Sequence, residues 1–203
     1  MPKFLSLLPF IALMALTAPA AAQDAAAEET PAEGAAGSSV EDQLAVGQEA
    51  TELGSTYVKQ ESGDWELRCI RTETPENDPC QLYQLLKEEN GNALAEISMF
   101  RLPAESKLPA GATVIVPLET LLTGQLGISV DGSKPKSYPF SFCNRQGCYA
   151  RIGLTAEDIA AFKRGAEAKV MIRPFAAPDQ IVASTMSLSG FTAGFELASV
   201  LQQ

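Results

Sequence analysis

Histidine is absent from the 203 residues of the sequence. Its absence excludes Ser-His-Asp and Cys-His nucleophilic catalysis, zinc sites built on His ligands and general acid–base catalysis by an imidazole. The sequence also contains no Gly-rich phosphate-binding loop and no Cys-x-x-Cys redox motif. The side chains that remain for chemistry are carboxylates and four cysteines.

Paired carboxylates are the basis of glycosidase-type hydrolysis, in which one acts as the acid and the other as base or nucleophile. The candidates are the adjacent pairs Glu88–Glu89 and Glu157–Asp158. The first pair flanks a predicted hairpin turn and the second lies in the first turn of a predicted helix, so we interpret both as surface acids. Because catalytic partners can be distant in sequence, the alternative hypothesis is a carboxylate-dependent hydrolase or small-ligand carrier. Its cleft would also use Glu119.

A polar loop between two predicted strands carries four side chains with oxygen atoms, Glu73, Glu76, Asn77 and Asp78. Such oxygens are the ligands that Ca²⁺ prefers. Their spacing differs from that of an EF-hand, so we interpret the segment as an acidic surface loop and predict no metal site.

The four cysteines are Cys69, Cys80, Cys143 and Cys148. The ten-residue gap between the first two misses the spacing of zinc sites. Four cysteines allow three disulfide pairings. We favour Cys69–Cys80 with Cys143–Cys148, because each bond then needs only local closure of the chain. Free, buried thiols are the other alternative.

The N-terminus favours export from the cytoplasm. A short basic head, Met1-Pro2-Lys3, precedes an apolar run from Phe4 to Leu16, and small residues follow up to Ala22. This pattern predicts a signal peptide over residues 1–22. The run is too short to cross a membrane, and no later run reaches the ~20 apolar residues that a spanning helix needs. We therefore expect a periplasmic, secreted or cell-surface protein, in an oxidising compartment where disulfides form.

Acidic residues are concentrated after the predicted signal peptide. Between Gln23 and Ser62 there are nine acids and one base, and acids and bases nearly balance beyond that point. Residues 23–55 are rich in Ala, Glu and Pro, which predicts a disordered linker. The sequence has no basic patch of the kind that nucleic acids require, so nucleic acid is not an expected partner.

Residues 56–203 are predicted to form a single β domain. Short alternating or β-branched runs are separated by turn residues about every ten positions, which is typical of a β-sandwich or barrel. Thr155 and Asp158 have the spacing of a capping box and predict one short helix, and Ser189–Leu201 predicts a second. Trp65 is expected in the core beside the first disulfide, and leucines of the connection Pro117–Gly124 are expected to be buried.

The segment Tyr138–Tyr149 contains the second cysteine pair. Alternation places Tyr138, Phe140 and Phe142 on one face of a strand, and the polar residues 144–147 let the chain turn back. We predict a hairpin closed by a disulfide across its loop. Side chains of this hairpin are the candidate contacts for a partner: Tyr138, Arg145, Gln146 and Tyr149.

An ordered set of motifs between about Gly63 and Leu201 resembles the invasion-associated locus B family, exported proteins of Gram-negative bacteria. The motifs are Trp65-x3-Cys69, Cys80-x3-Gln84, Leu108-Pro-x-Gly111, Pro117-Leu118, the strand Gly124–Asp131, Cys143-x3-Gly147-Cys148 and Ser187-Leu-Ser-Gly-Phe-Thr-Ala193. One departure is Glu119, where a small residue is expected in the family.

The resemblance implies an immunoglobulin-like β-sandwich in the periplasm or at the cell surface and a link to colonising or entering host cells. It supplies no catalytic or ligand-binding residue that could be transferred to this sequence. We therefore expect a non-enzymatic interaction protein without a cofactor, whose partner is an envelope or host protein of unknown identity.

Overall fold

Eleven strands and two helices make up the part of the chain that the computed structural model describes, which is Leu44, residues 52–88 and residues 90–201. The strands are β1 (Thr56–Ser62), β2 (Trp65–Ile70), β3 (Cys80–Lys87), β4 (Ala93–Arg101), β5 (Ala110–Val116), β6 (Leu126–Val130), β7 (Lys136–Tyr138), β8 (Phe142–Cys143), β9 (Cys148–Leu154), β10 (Glu167–Ile172) and β11 (Val182–Ser187). The helices are α1 (Ala156–Arg164) and α2 (Phe191–Leu197). The predicted signal peptide and most of the predicted linker lie outside the described residues.

The strands form where apolar residues alternate with polar ones. In β9, for example, Cys148, Ala150, Ile152 and Leu154 are buried, and the residues between them are more exposed. Successive side chains of a strand point to opposite faces, so this pattern turns one face of the sheet towards the core.

All strand pairs are antiparallel and join into one curled sheet with the order β7-β6-β10-β11-β3-β4-β5-β9-β8. Strands β1 and β2 are attached through β3. Strand β2 pairs with the first half of β3, whereas β11 meets β3 at a single residue pair, Thr185 and Lys87. With β4 on its other side, β3 is therefore the strand at which the sheet forks.

A cluster of hydrogen bonds, here called the Ser187 clasp, closes this fork. Its members are Asp64, Trp65, Gln84 and Ser187. The indole N–H of Trp65 donates to the backbone carbonyl of Ser187 (2.9 Å), and the buried Gln84 amide donates to the same carbonyl (3.1 Å) and accepts from the Ser187 N–H (2.9 Å). The Ser187 hydroxyl donates to the Asp64 carboxylate (2.5 Å). The clasp thus supplies side-chain hydrogen bonds between β11 and β3, which pair through their backbones only at Thr185 and Lys87.

The two helices close one side of the core. As predicted, Thr155 and Asp158 form a capping box: the Thr155 hydroxyl accepts from the Asp158 N–H, and the Asp158 carboxylate accepts from the Thr155 N–H. In α2, Phe191 is the centre of an aromatic cluster, with ring centroids 5.6 Å from Trp65 and 5.5 Å from Phe162. Such edge-to-face contacts add to the burial of the rings.

Both disulfides join the predicted local partners, Cys69–Cys80 and Cys143–Cys148. In each case the two cysteines are direct cross-strand partners. Trp65 is fully buried as predicted, but its surroundings differ from the prediction. It belongs to the main core, whereas the first disulfide belongs to a smaller separate cluster with Leu67.

The predicted continuous strand from Tyr138 to Phe142 is wrong. Tyr138 ends β7, which pairs with β6, and Phe142 begins β8, which pairs with β9. Pro139 lies between them and has no N–H to donate to a ladder. As a result the three rings do not share a face: Tyr138 and Phe140 pack against the core, and Phe142 is exposed.

The structure confirms a mainly β fold with two short helices and two local disulfides. The curled antiparallel sheet is compatible with the immunoglobulin-like β-sandwich that the family resemblance implied. Among the described residues no helix combines the length and apolar character that crossing a membrane requires.

Candidate binding groove beside the second disulfide

An apolar groove, here called the Cys143 groove, lies beside the second disulfide and has a volume of about 640 Å³. Its lining comes from residues 118–123 after β5, from Phe175 and Ala176 after β10, and from the Cys143–Cys148 bond. Concave, mostly apolar surfaces of this size are typical of binding sites.

Backbone hydrogen bonds fix the two segments that form the groove. The Leu121 N–H donates to the Arg173 carbonyl and the Phe175 N–H donates to the Glu119 carbonyl, both at 2.7 Å. Thr120 lies between them and is buried, with its hydroxyl donating to the Pro117 carbonyl at 2.7 Å. The frame of the groove is therefore fixed by hydrogen bonds, although its apolar side chains project towards solvent.

Three large apolar side chains of the groove are exposed, contrary to the prediction that leucines of this connection are buried. The exposed fractions are 54% for Leu118, 44% for Leu122 and 72% for Phe175. Contiguous apolar exposure of this kind marks interaction sites. Covering such a side chain completely is worth roughly 1.5–3 kcal/mol relative to full exposure, so a partner that seats on the groove has a favourable apolar surface to bury.

Glu119 supplies the only ionisable side chain in the lining of the Cys143 groove. Its backbone carbonyl is engaged by Phe175, but its carboxylate has no ion pair or hydrogen bond within the described part of the chain. The groove therefore combines an apolar surface with one uncompensated negative charge.

The predicted contacts of the hairpin lie on a different surface. Tyr149 stacks on Phe142 with a centroid distance of 4.6 Å, and its hydroxyl donates to Gln146 Oε1 at 2.9 Å. Arg145 is exposed at the tip of the hairpin. Because neighbouring side chains of a strand point to opposite faces, the Tyr149 ring lies on the face of the hairpin opposite the disulfide and its groove.

Tyr138, the fourth predicted contact, is separate from these three residues. Its ring packs against the core and lines a cleft of about 320 Å³ that also includes Lys136 and Asp158. Burial, and then the nearby Asp158 charge, raise the pKa of Tyr138. The phenol is therefore neutral at physiological pH, and only part of its ring is accessible to a partner.

Two of the candidate carboxylates, Glu157 and Asp158, line the same cleft of about 320 Å³ beside Tyr138, and the other described candidates lie elsewhere. Glu88 lies beside the β3–β4 turn, Glu119 lines the Cys143 groove, and Glu157 and Asp158 lie in the first turn of α1. Glu89 is outside the described residues. The structure therefore separates Glu88 and Glu119 from the Glu157–Asp158 pair but keeps the two members of that pair in one cleft.

Asp158 is already engaged by other groups. Burial acts to raise its pKa, but the hydrogen bond from Lys136 Nζ (2.5 Å) and those from Thr155 outweigh burial, so the pKa of Asp158 is lowered. A carboxyl that is held ionised at the helix cap is a poor general acid, because a general acid must be protonated near the working pH.

Asp78 in the acidic loop has a structural role. Its carboxylate accepts hydrogen bonds from the Tyr57 hydroxyl (2.7 Å), the Thr72 N–H (2.7 Å) and the Thr72 hydroxyl (2.8 Å). These bonds, that of Tyr57 first, lower the pKa of Asp78, and the same contact raises the pKa of Tyr57. Within the described ranges no three acidic, Cys or His side chains cluster in a way that could hold a metal ion.

Sequence reasoning missed the Cys143 groove because its two walls are about fifty positions apart in the chain. Each wall did carry a local signal. Leu118 and Leu122 occur in a short connection between strands, and Phe175 follows Arg173-Pro174 after the end of β10. The topology that pairs these two connections was required to recognise them as one surface.

Partial reduction is expected to open the Cys143–Cys148 bond before the Cys69–Cys80 bond. Cys143 is exposed, whereas the exposed fractions of Cys69 and Cys80 are 0% and 4%. Cys148 is 1% exposed, so an attacking thiolate reaches the second bond from the Cys143 side, whereas the first bond has no exposed cysteine. The two bonds have the same Cα–Cα distance of 4.0 Å.

The measurement is native-state titration with dithiothreitol, quenching with iodoacetamide and mass mapping of the peptides. Alkylation of Cys143 and Cys148 should precede that of the other pair. Simultaneous alkylation of all four cysteines, or earlier alkylation of Cys69 and Cys80, would show that access does not determine the order.

Taken together, the fold and the groove define a small disulfide-bonded β protein with a preformed apolar groove. The sequence model of the invasion associated locus B (IalB) protein family matches residues 65–199. The chain therefore belongs to the invasion-associated locus B family, as the motifs indicated.

Individual relatives agree with this assignment. The chain is 26% identical over 152 residues to invasion protein B homologs of Brucella abortus strain 2308 and of Brucella abortus biovar 1 strain 9-941, covering 73% of this chain and 83% of each relative. The crystal structure of invasion associated protein B from Bartonella henselae has a similar fold. Its TM-score is 0.55 at 20% identity, over 66% of this chain and 89% of that one.

Proposed function

We propose that this protein is an exported, non-enzymatic interaction protein that binds an envelope or host protein through the Cys143 groove. The observation that carries the proposal is the exposure of Leu118, Leu122 and Phe175 on a backbone frame fixed by hydrogen bonds. The backbone that carries these exposed side chains is already fixed, so little backbone conformational entropy is lost when a partner covers them.

The compartment in this proposal is the periplasm or the cell surface. It is supported by the signal-peptide pattern of residues 1–22 and by two disulfides, which persist in oxidising compartments. The relatives named as invasion protein B homologs support a contribution to host-cell invasion. Residues 23–55 then act as a linker ahead of the binding domain, residues 56–203.

Arg145, Gln146 and Tyr149 form a second proposed contact surface, on the hairpin and separate from the Cys143 groove. Arg145 at the tip offers an exposed cation, and Tyr149 stacks on Phe142 with its hydroxyl bonded to Gln146. Tyr138 contributes through the accessible part of its ring. A non-enzymatic role is supported by the absence of histidine and by the engagement of the Asp158 carboxylate with Lys136 and Thr155.

Site-specific cross-linking tests the proposal. A photoreactive phenylalanine analogue placed at Phe175 should give a discrete adduct with one envelope or host protein when the full chain is expressed in its own bacterium. The matched control places the analogue at Leu85, which is 40% exposed on β3 and lies outside the groove. The adduct should be absent from the control and should be lost when Leu118 and Leu122 are both changed to Ser.

Cell fractionation in the same experiment tests export. The protein should be found in the periplasm or at the surface without residues 1–22. A chain kept in the cytoplasm with these residues intact, or equal adducts from Phe175 and Leu85, would contradict the proposed function.

A further inference from the structure

We propose that the Cys143 groove binds an extended peptide segment that carries a large apolar side chain and, two positions away, a Lys or Arg. This inference rests on the proposed function and names the chemistry of the partner. It is carried by three features of the groove: the strand edge beside it, the apolar side chains in it and the single negative charge in its lining.

The neighbouring strand edge favours a peptide over a compact small molecule. Strand β8 is the last strand in the order of the sheet and pairs only with β9 within the described part of the chain. Its residue Cys143 lines the groove. Strand β8 has only two residues, so its free edge supplies few backbone hydrogen bonds to an added extended segment, and the adjacent groove supplies the side-chain contacts.

The charge in the groove selects the second side chain. Glu119 is exposed and its carboxylate has no partner among the described residues, so it is free to form an ion pair with a segment that seats on the groove. A Lys or Arg on the bound segment supplies the missing partner.

Arg173, two residues before Phe175, does not fill this role. Arg173 lies with its aliphatic part against Gly124, and its guanidinium donates to the Pro178 carbonyl at 3.2 Å. It lines a separate cleft together with Gly124, not the Cys143 groove.

Strand geometry sets the spacing between the two side chains of the peptide. In an extended segment, residues two positions apart point to the same face. If one apolar side chain of the peptide packs among Leu118, Leu122 and Phe175, the side chain two positions away along the peptide faces the same groove. This gives the pattern of an apolar residue, any residue, and a basic residue in either direction along the segment.

Selection from a random phage-displayed peptide library tests the inference. The bait is the purified chain without residues 1–22, and the comparison bait carries Glu119→Gln. Peptides enriched on the unchanged bait should show the apolar and basic residues at the predicted spacing, and the basic residue should lose its enrichment on the variant. A synthetic copy of the best peptide should bind about two- to fivefold more weakly when its basic residue is replaced by Gln, the ratio expected for one exposed ion pair.

Two variants complete the design. Glu105→Gln removes an exposed carboxylate from the loop between β4 and β5 and should leave the selection unchanged, whereas Phe175→Ser should weaken binding of every selected peptide. No enrichment, enrichment without the basic residue, or equal enrichment of that residue on Glu119→Gln would overturn the inference. If the cross-link from Phe175 is observed together with one of these results, the proposed function stands and only the peptide chemistry fails.

Discussion

Replacing Trp65 with alanine is expected to lower the free energy of unfolding by about 3–5 kcal/mol, the range for truncating a large buried aromatic side chain. The side chain is fully buried, its ring contacts Phe191 edge to face, and its indole N–H donates into the Ser187 clasp. Truncation removes all three contributions and leaves a cavity in the main core. Since small domains are stable by only about 5–15 kcal/mol, this loss is a large share of the total.

Urea unfolding followed by circular dichroism is the appropriate measurement, because Trp65 is the only tryptophan and its fluorescence is lost in the variant. The matched control is Phe175→Ala. That ring is 72% exposed, so its removal should change the free energy of unfolding by no more than about 0.5 kcal/mol. Similar losses in the two variants would contradict the central position of Trp65 in the core.

Replacing Gly190 with alanine is expected to destabilise the fold by about 2–5 kcal/mol. Gly190 has a φ of +82°, and a Cβ there would overlap the backbone carbonyl of Ser62. The left-handed conformation accounts for roughly 1–2 kcal/mol of the cost and the steric overlap for about 1–3 kcal/mol more. The overlap cannot be relieved by a rotamer change, because the contacting atoms belong to the backbone.

Gly91 offers a control that separates the two parts of this cost. It has a similar φ of +87°, in the β3–β4 turn, but a Cβ there would meet no atom within 4 Å. Gly91→Ala should therefore show only the conformational cost, measured by the same urea titration. Equal destabilisation by the two substitutions would mean that the chains near Ser62 and Gly190 do not approach as closely as the structure places them.

The features predicted correctly from the sequence are those encoded over a few neighbouring residues. The alternation of Cys148, Ala150 and Ile152 predicts a strand with one buried face, and Thr155 with Asp158 predicts the start of a helix. The disulfide partners were also found, because each pair closes only a short loop. Such patterns depend on strand and helix periodicity and on local chain closure, which act within one or two elements.

The features that escaped prediction depend on contacts between distant segments. Nothing near Gln84 in the sequence indicates that its amide bonds to Ser187, and nothing near Leu118 indicates that Phe175 will share its groove. The hairpin around Cys143 was predicted with a strand that is too long, because alternation of the aromatic residues was given more weight than Pro139. Proline has no N–H to donate to a strand ladder, and β7 ends at Tyr138, directly before Pro139.

The Ser187 clasp has a consequence for the order in which the chain acquires its structure. It links residues separated by 122 positions, between Trp65 and Ser187, and the neighbouring bond from Ser62 to Gly190 spans 128. Contacts between such remote positions form slowly, because a long loop must close before they contribute. The core around Trp65 is thus incomplete until the segment that contains Ser187 and Gly190 has been synthesised. For a protein that we propose is exported, this postpones stable folding, so that the polypeptide stays unfolded enough to be threaded across a membrane.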